Sequence, residues 1–157
     1  MKLLYVTDLH GDKNKYEKVL EVAVAKDFKL IVNGGDMLPK LGDRHNEQPI
    51  FIKEYLSDYF QRVQDLGITY LTILGNDDLL AVDELFSAVC GEFDNVHYIA
   101  GKKVEINGYE FVGMDSILDH PFGCKDRVVM EKHYIPQRQL SPVAGISSEF
   151  GYDRIYN

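Results

Sequence analysis

The chain has 157 residues, 45% of them hydrophobic, and sets 17 Lys and Arg against 25 Asp and Glu for a formal net charge of −8. That length fits one domain over residues 1–157 with a packed core. The acidic balance weighs against extended nucleic acid as a partner, because a polyphosphate backbone rewards cationic surface, and no apolar run reaches the ~20 residues of a membrane span. The opening MKLLYVTDLH has too short an apolar stretch for a secretory leader. Two cysteines, Cys90 and Cys124, are too few for a disulfide scaffold and have no metal-like spacing, so a cytoplasmic location is expected. Lys125 beside Cys124 is a neighbour able to lower a thiol pKa, although an ordinary free thiol is the simpler reading.

Leu3-Leu4-Tyr5-Val6 predicts a strand buried on both faces. Tyr16, Val19, Leu20, Ala23 and Val24 then recur at helical spacing behind a polar start at Asn14 and Glu17. Phe28 to Val32 predicts a second strand, broken at Asn33-Gly34-Gly35-Asp36, and the polar stretch from Met37 to Pro49 reads as a loop. The stripe Ile52, Tyr55, Leu56, Tyr59, Phe60 and Val63 predicts a second helix, with Gly67 placed to end it. Ile68 to Leu74 is a third strand, closed by Gly75-Asn76-Asp77-Asp78, a turn that would also cap the next helix. That helix carries Val82, Leu85, Phe86 and Val89 and stops at Gly91. Lys103–Ile106 and Tyr109–Gly113 flank Asn107-Gly108, the pair most tolerant of the positive φ angles of a tight hairpin. From Asp115 to Asn157 there is no sustained period, only prolines and scattered aromatics.

Strand–helix alternation implies parallel strands joined by crossovers, and such sheets bind ligands outside the carboxyl ends of their strands. The first three predicted strands end on Asp8 and His10, on Asp36 and on Asn76. Two carboxylates, an imidazole and an amide oxygen form a mixed O/N donor set, which suits manganese, iron or zinc better than calcium. Two divalent ions on two aspartates, a neutral His10 and a neutral Asn76 keep a net charge near +2, attractive to a small phosphate ester. Each motif alone is an ordinary turn; one after each of three successive strands is a pattern that turns do not require.

Asp8-x-His10, Gly35-Asp36 and Gly75-Asn76-Asp77 resemble the first three motifs of the calcineurin-like metallophosphoesterases. The resemblance implies an α/β fold, a layered sandwich of β-sheets flanked by helices. It implies that Asp8 and His10 bind one metal, that Asp36 bridges two and that Asn76 binds the second. It also implies hydrolysis of phosphomonoesters or phosphodiesters through a metal-bridging hydroxide. Many members carry Gly-Asn-His, where the histidine protonates the leaving group; Asp77 stands at that position and is the candidate catalytic residue. The family's later Gly-His-x-His motif has no counterpart, since no Gly-His pair occurs in the chain. The domain is therefore read as lacking its C-terminal motifs. Weak activity of this chain alone is expected, with self-association through uncovered apolar surface. His120 and His133, the late histidines, match no family motif and read as loop histidines, to be considered as ligands only if this chain alone proves fully active; His45 and His97 read as surface or packing residues. The competing reading is a non-catalytic binding or regulatory module of the same fold.

Overall fold

β1 (Leu4–Val6), β2 (Leu30–Asn33), β3 (Thr69–Thr72) and β4 (Val96–Tyr98) form one parallel sheet in the order β1-β2-β3-β4, in a computed structural model that describes residues 1–129, 140, 144–148 and 151–154. Consecutive parallel strands joined by right-handed crossovers send every connecting helix to the same face. The helices are α1 (Lys13–Ala25), α2 (Arg44–Ile50), α3 (Ser57–Asp65) and α4 (Asp83–Cys90). Tyr16 and Leu20 of α1, Phe60 and Val63 of α3 and Phe86 of α4 join Ile31 and Tyr70 of the sheet in the main core. Edge-on ring contacts run through it, such as Tyr16 on Tyr59 at 4.9 Å and Tyr59 on Tyr70 at 6.0 Å. Such pairs add to stability beyond the area they bury.

The opposite face of the sheet is covered by a hairpin, β5 (Lys103–Ile106) and β6 (Tyr109–Val112). Val104, Ile106 and Phe111 pack there on Leu30, Leu71 and Ile99, and Asn107 and Gly108 take φ of 53° and 78° at the turn. Helices, parallel sheet and hairpin make three layers, as the alternation and the Asn-Gly pair predict. Beyond them, β7 (Ile117–Leu118) runs parallel to β8 (Val128–Val129), and β9 (Gly145–Ser148) pairs antiparallel with β10 (Gly151–Arg154). Two polar anchors tie this segment down. Arg127 lies between Asp83 and Asp115, and the Asp126 carboxylate accepts from Leu80 N and Ser147 N at 2.6 Å each.

Several expectations need correction. β1 is not buried on both faces: it is the edge of the sheet, and Tyr5, on the hairpin side, is 60% exposed. The stretch from Met37 to Pro49 is not all loop, because α2 occupies its end. Pro49 gives that helix no N–H, and the next six residues, Phe51–Leu56, are wound as a π-helix before α3 begins. The polar start of α1 lies two residues earlier than Asn14, at Asp12, whose carboxylate accepts from Asn14 N. β4 was not anticipated; it is three residues long with His97 at its centre, too short for periodicity to register.

Candidate metal centre

Past the ends of β1 and β2 the chain stays stitched together. Asp8 N donates to Gly35 O at 3.1 Å, His10 N to Asp36 O at 2.8 Å and Gly11 N to Met37 O at 2.8 Å. To make these bonds Asp8, His10 and Asp36 adopt left-handed backbone, with φ of 58°, 49° and 52°. That conformation costs a residue with a Cβ about 1–2 kcal/mol, and Asp and His are among those that tolerate it best. The strained turns bring the three side chains toward one another, so that a ligand atom from each lies within 4.8 Å of the others.

The loop after β3 is pressed against this pair. Gly35 has φ of +104°, and a Cβ added there would stand 2.8 Å from Gly75 N; a Cβ on Gly75 would overlap the main chain and carboxylate of Asp36. Only two glycines allow the loops to approach so closely. Asp77 N then donates to Asp36 Oδ1 at 2.9 Å. Asn76, half-buried, lies between these two points of contact with Asp36.

Two residues that motif reasoning did not single out hold the loops in place. Asp78, fully buried, accepts from Met37 N at 3.0 Å, Leu38 N at 2.8 Å and Gly75 N at 2.8 Å. Burial pushes its pKa up to about 7 against the pull of those three N–H groups. Asp78 thus ties the second loop to the third, and α4 starts later, at Asp83. Gln48, also buried, donates through Nε2 to Pro39 O at 3.0 Å and Asp77 O at 2.9 Å, and its Oε1 accepts from Leu79 N at 2.9 Å. Its position one turn before Ile52, on the buried stripe, is the signal that could have exposed it.

His10 Nε2 lies 3.4 Å from Asp8 Oδ1, while its Nδ1 is buried with no hydrogen-bond partner and stands 4.0 Å from Asp77 Oδ2. Burial raises the pKa of Asp36; the Asp77 N–H opposes this and the Asp77 and Asp8 carboxylates add to it. Three crowded carboxylates and an orphaned imidazole nitrogen are the arrangement a divalent cation would relieve. The group of Asp8, His10 and Asp36 thus fits a metal ion. On the rim, Arg44 NH1 donates to Asp77 O at 3.4 Å and lies 3.6 Å from Asp77 Oδ1.

None of the other described histidines joins the group of Asp8, His10 and Asp36. His45 Nε2 packs 3.2 Å from Gly151 O, and His97 is on β4. His120 Nδ1 accepts from Phe122 N at 3.2 Å, and its pKa is lowered by burial and then by Lys125. His133 lies outside the described residues. Lys125 does not activate Cys124: its ammonium is buried on Asp119 at 2.7 Å, and burial pushes the Cys124 thiol up to about 11.

A family profile described as calcineurin-like phosphoesterase matches residues 1–154. A search of curated proteins finds no similar sequence. Among solved structures the chain is similar to the protein TT1561 of Thermus thermophilus, with a TM-score of 0.57 and 13% identity over 87% of this chain and 53% of that one. The chain spans about half the length of that protein, and the likeness is one of fold.

Proposed function

The chain belongs to the calcineurin-like phosphoesterase family, and from that premise we propose that it binds two divalent ions and hydrolyses small phosphate esters. The observation that carries this reading is the convergence of Asp8, His10 and Asp36 within 4.8 Å at the carboxyl edge of the parallel sheet. Asp8 and His10 would hold one ion, Asn76 the other, and Asp36 both. Manganese, iron or zinc suits these oxygen and nitrogen donors. Such ions, when bound, polarise a phosphoryl oxygen and lower the pKa of water to about 7. The chain's own residues supply the geometry. Positive-φ turns at Asp8, His10 and Asp36 aim the ligands, Asp78 and Gln48 fix the loops that carry them, and the neutral amide of Asn76 leaves the site cationic toward an ester. The buried free thiols Cys90 and Cys124 support a cytoplasmic setting. Among the described residues no helix is long and apolar enough to cross a membrane.

The test is turnover of bis(4-nitrophenyl) phosphate and 4-nitrophenyl phosphate with added manganese, in wild type and Asp36→Asn. We expect metal-dependent turnover that falls at least ~100-fold in the variant, because a shared ligand positions both ions. Turnover indifferent to chelator, or equal in the two proteins, would refute the reading.

A further inference from the structure

We propose that Asp126 and Ser147, from the segment that follows the hairpin, are positioning residues of the metal centre: they fix the loop after β3 and so set Asn76 against its ion. This rests on the phosphoesterase reading above, in which Asn76 holds one of the two ions. The loop is built as two tight turns in succession. Asp78 N donates to Gly75 O at 3.2 Å and closes the first, which carries Asn76 and Asp77; Val82 N donates to Leu79 O at 3.1 Å and closes the second. The first turn is held by the neighbouring loops, through Asp36, Asp78 and Gln48. The second needs an anchor from outside, because Leu79 precedes the helical turn Leu80–Val82 and has no side chain able to cap it.

Asp126 and Ser147 supply that anchor. The Asp126 carboxylate accepts from Leu80 N at 2.6 Å, and Ser147 Oγ accepts from Ala81 N at 3.1 Å. The two side chains also hold each other, since Ser147 N and Ser147 Oγ both donate to the Asp126 carboxylate. Main-chain pairing sets their alignment: Lys125 N donates to Gly145 O and Gly145 N to Gly123 O, each at 2.9 Å. With these bonds in place, the N–H groups of Gly75 and of residues 77 to 82 all have acceptors, so the loop is fastened on both sides of Asn76. Leu80 and Ala81 are themselves exposed, so water can take over their N–H groups when the anchor is lost. What goes is then the position of the second turn more than the stability of the fold, and Leu79 and Asp78 carry the shift to Asn76. Groups that orient a metal ligand from behind tune affinity without touching the ion.

The experiment reads metal binding rather than turnover. Manganese is titrated by calorimetry into wild type, Asn76→Ala, Asp126→Asn, Ser147→Ala and Ser147→Thr, with folding followed by circular dichroism. Asn76→Ala identifies the binding step that belongs to Asn76. Asp126→Asn should weaken that step by at least about fivefold and leave the other within about twofold. Ser147→Ala should weaken the same step by at least about threefold, and Ser147→Thr, which keeps the hydroxyl, should restore it. A role in stability alone would move both steps together or neither. Either of those results in Asp126→Asn, or in Ser147→Ala should the first variant not fold, would overturn the proposal and leave the phosphoesterase reading standing. So would an Asn76→Ala protein that binds both ions as wild type does. Failure of wild type to bind manganese would sink the phosphoesterase reading first and this one with it.

Discussion

Replacing Gly35 by alanine tests whether backbone contact between loops builds the centre. The added Cβ would stand 2.8 Å from Gly75 N, 2.9 Å from Gly75 Cα and 3.2 Å from Leu74 C, all main-chain atoms that cannot rotate aside. Ordinary contact begins at 3.4 Å, so the loops must part by about 0.6 Å, and Asp36 is the next residue along. The φ of +104° adds backbone strain. Strain of ~1–3 kcal/mol and overpacking of ~1–3 kcal/mol give a loss of about 2–6 kcal/mol. At ~2–4 °C per kcal/mol for a chain of this size, the melting temperature should fall by roughly 5–20 °C. Gly101→Ala is the control: its φ is +64°, yet nothing lies within 4 Å of the added Cβ. That variant should lose only ~1–2 kcal/mol and keep its metal affinity. Circular dichroism melts give the stabilities, and manganese titration should show Gly35→Ala binding at least ~10-fold more weakly than Gly101→Ala. Equal melting shifts with equal metal affinities would refute the close-approach argument.

Other variants probe the supports around the site. Asp78→Ala removes the acceptor for two buried N–H groups and a partly buried third and should cost about 3–5 kcal/mol in urea unfolding; a loss under ~1 kcal/mol would mean the loops hold without it. Asp119→Leu leaves the buried Lys125 ammonium without its carboxylate and should destabilise by about 3–5 kcal/mol, most of it regained in Asp119→Leu/Lys125→Met. Burial disfavours the thiolate at both cysteines, pushing Cys90 up to about 12 and Cys124 up to about 11. Iodoacetamide at pH 8 should therefore label the native protein far more slowly than the unfolded chain; comparable rates would contradict the burial of these thiols.

What could be read from the sequence was whatever sits contiguously at an element boundary. Asp8-x-His10, Gly35-Asp36 and Gly75-Asn76-Asp77 each follow directly on a predicted strand, so parallel pairing alone brings them to one edge. Asn107-Gly108 announced its hairpin because the turn chemistry is local. Asp78 and Gln48 were not legible as supports, since each acts on main-chain groups of a distant loop that only the folded arrangement brings near. The exposure of Tyr5 depends on β1 being the sheet's edge, a matter of strand order rather than of local pattern. α2 was hidden by its polar residues and Pro49, which local propensity assigns to a loop; its one buried residue is the polar Gln48.

The central claim is that Asp8, His10, Asp36 and Asn76 gather to hold metal. Its most direct test is the stoichiometry of manganese binding by titration calorimetry, in wild type and in Asp36→Asn at matched folding judged by circular dichroism. The account predicts two ions per chain in wild type and a loss of affinity for both in the variant, because a ligand shared by both ions should contribute to each. No binding by wild type, or two ions bound with unchanged affinity by Asp36→Asn, would contradict it.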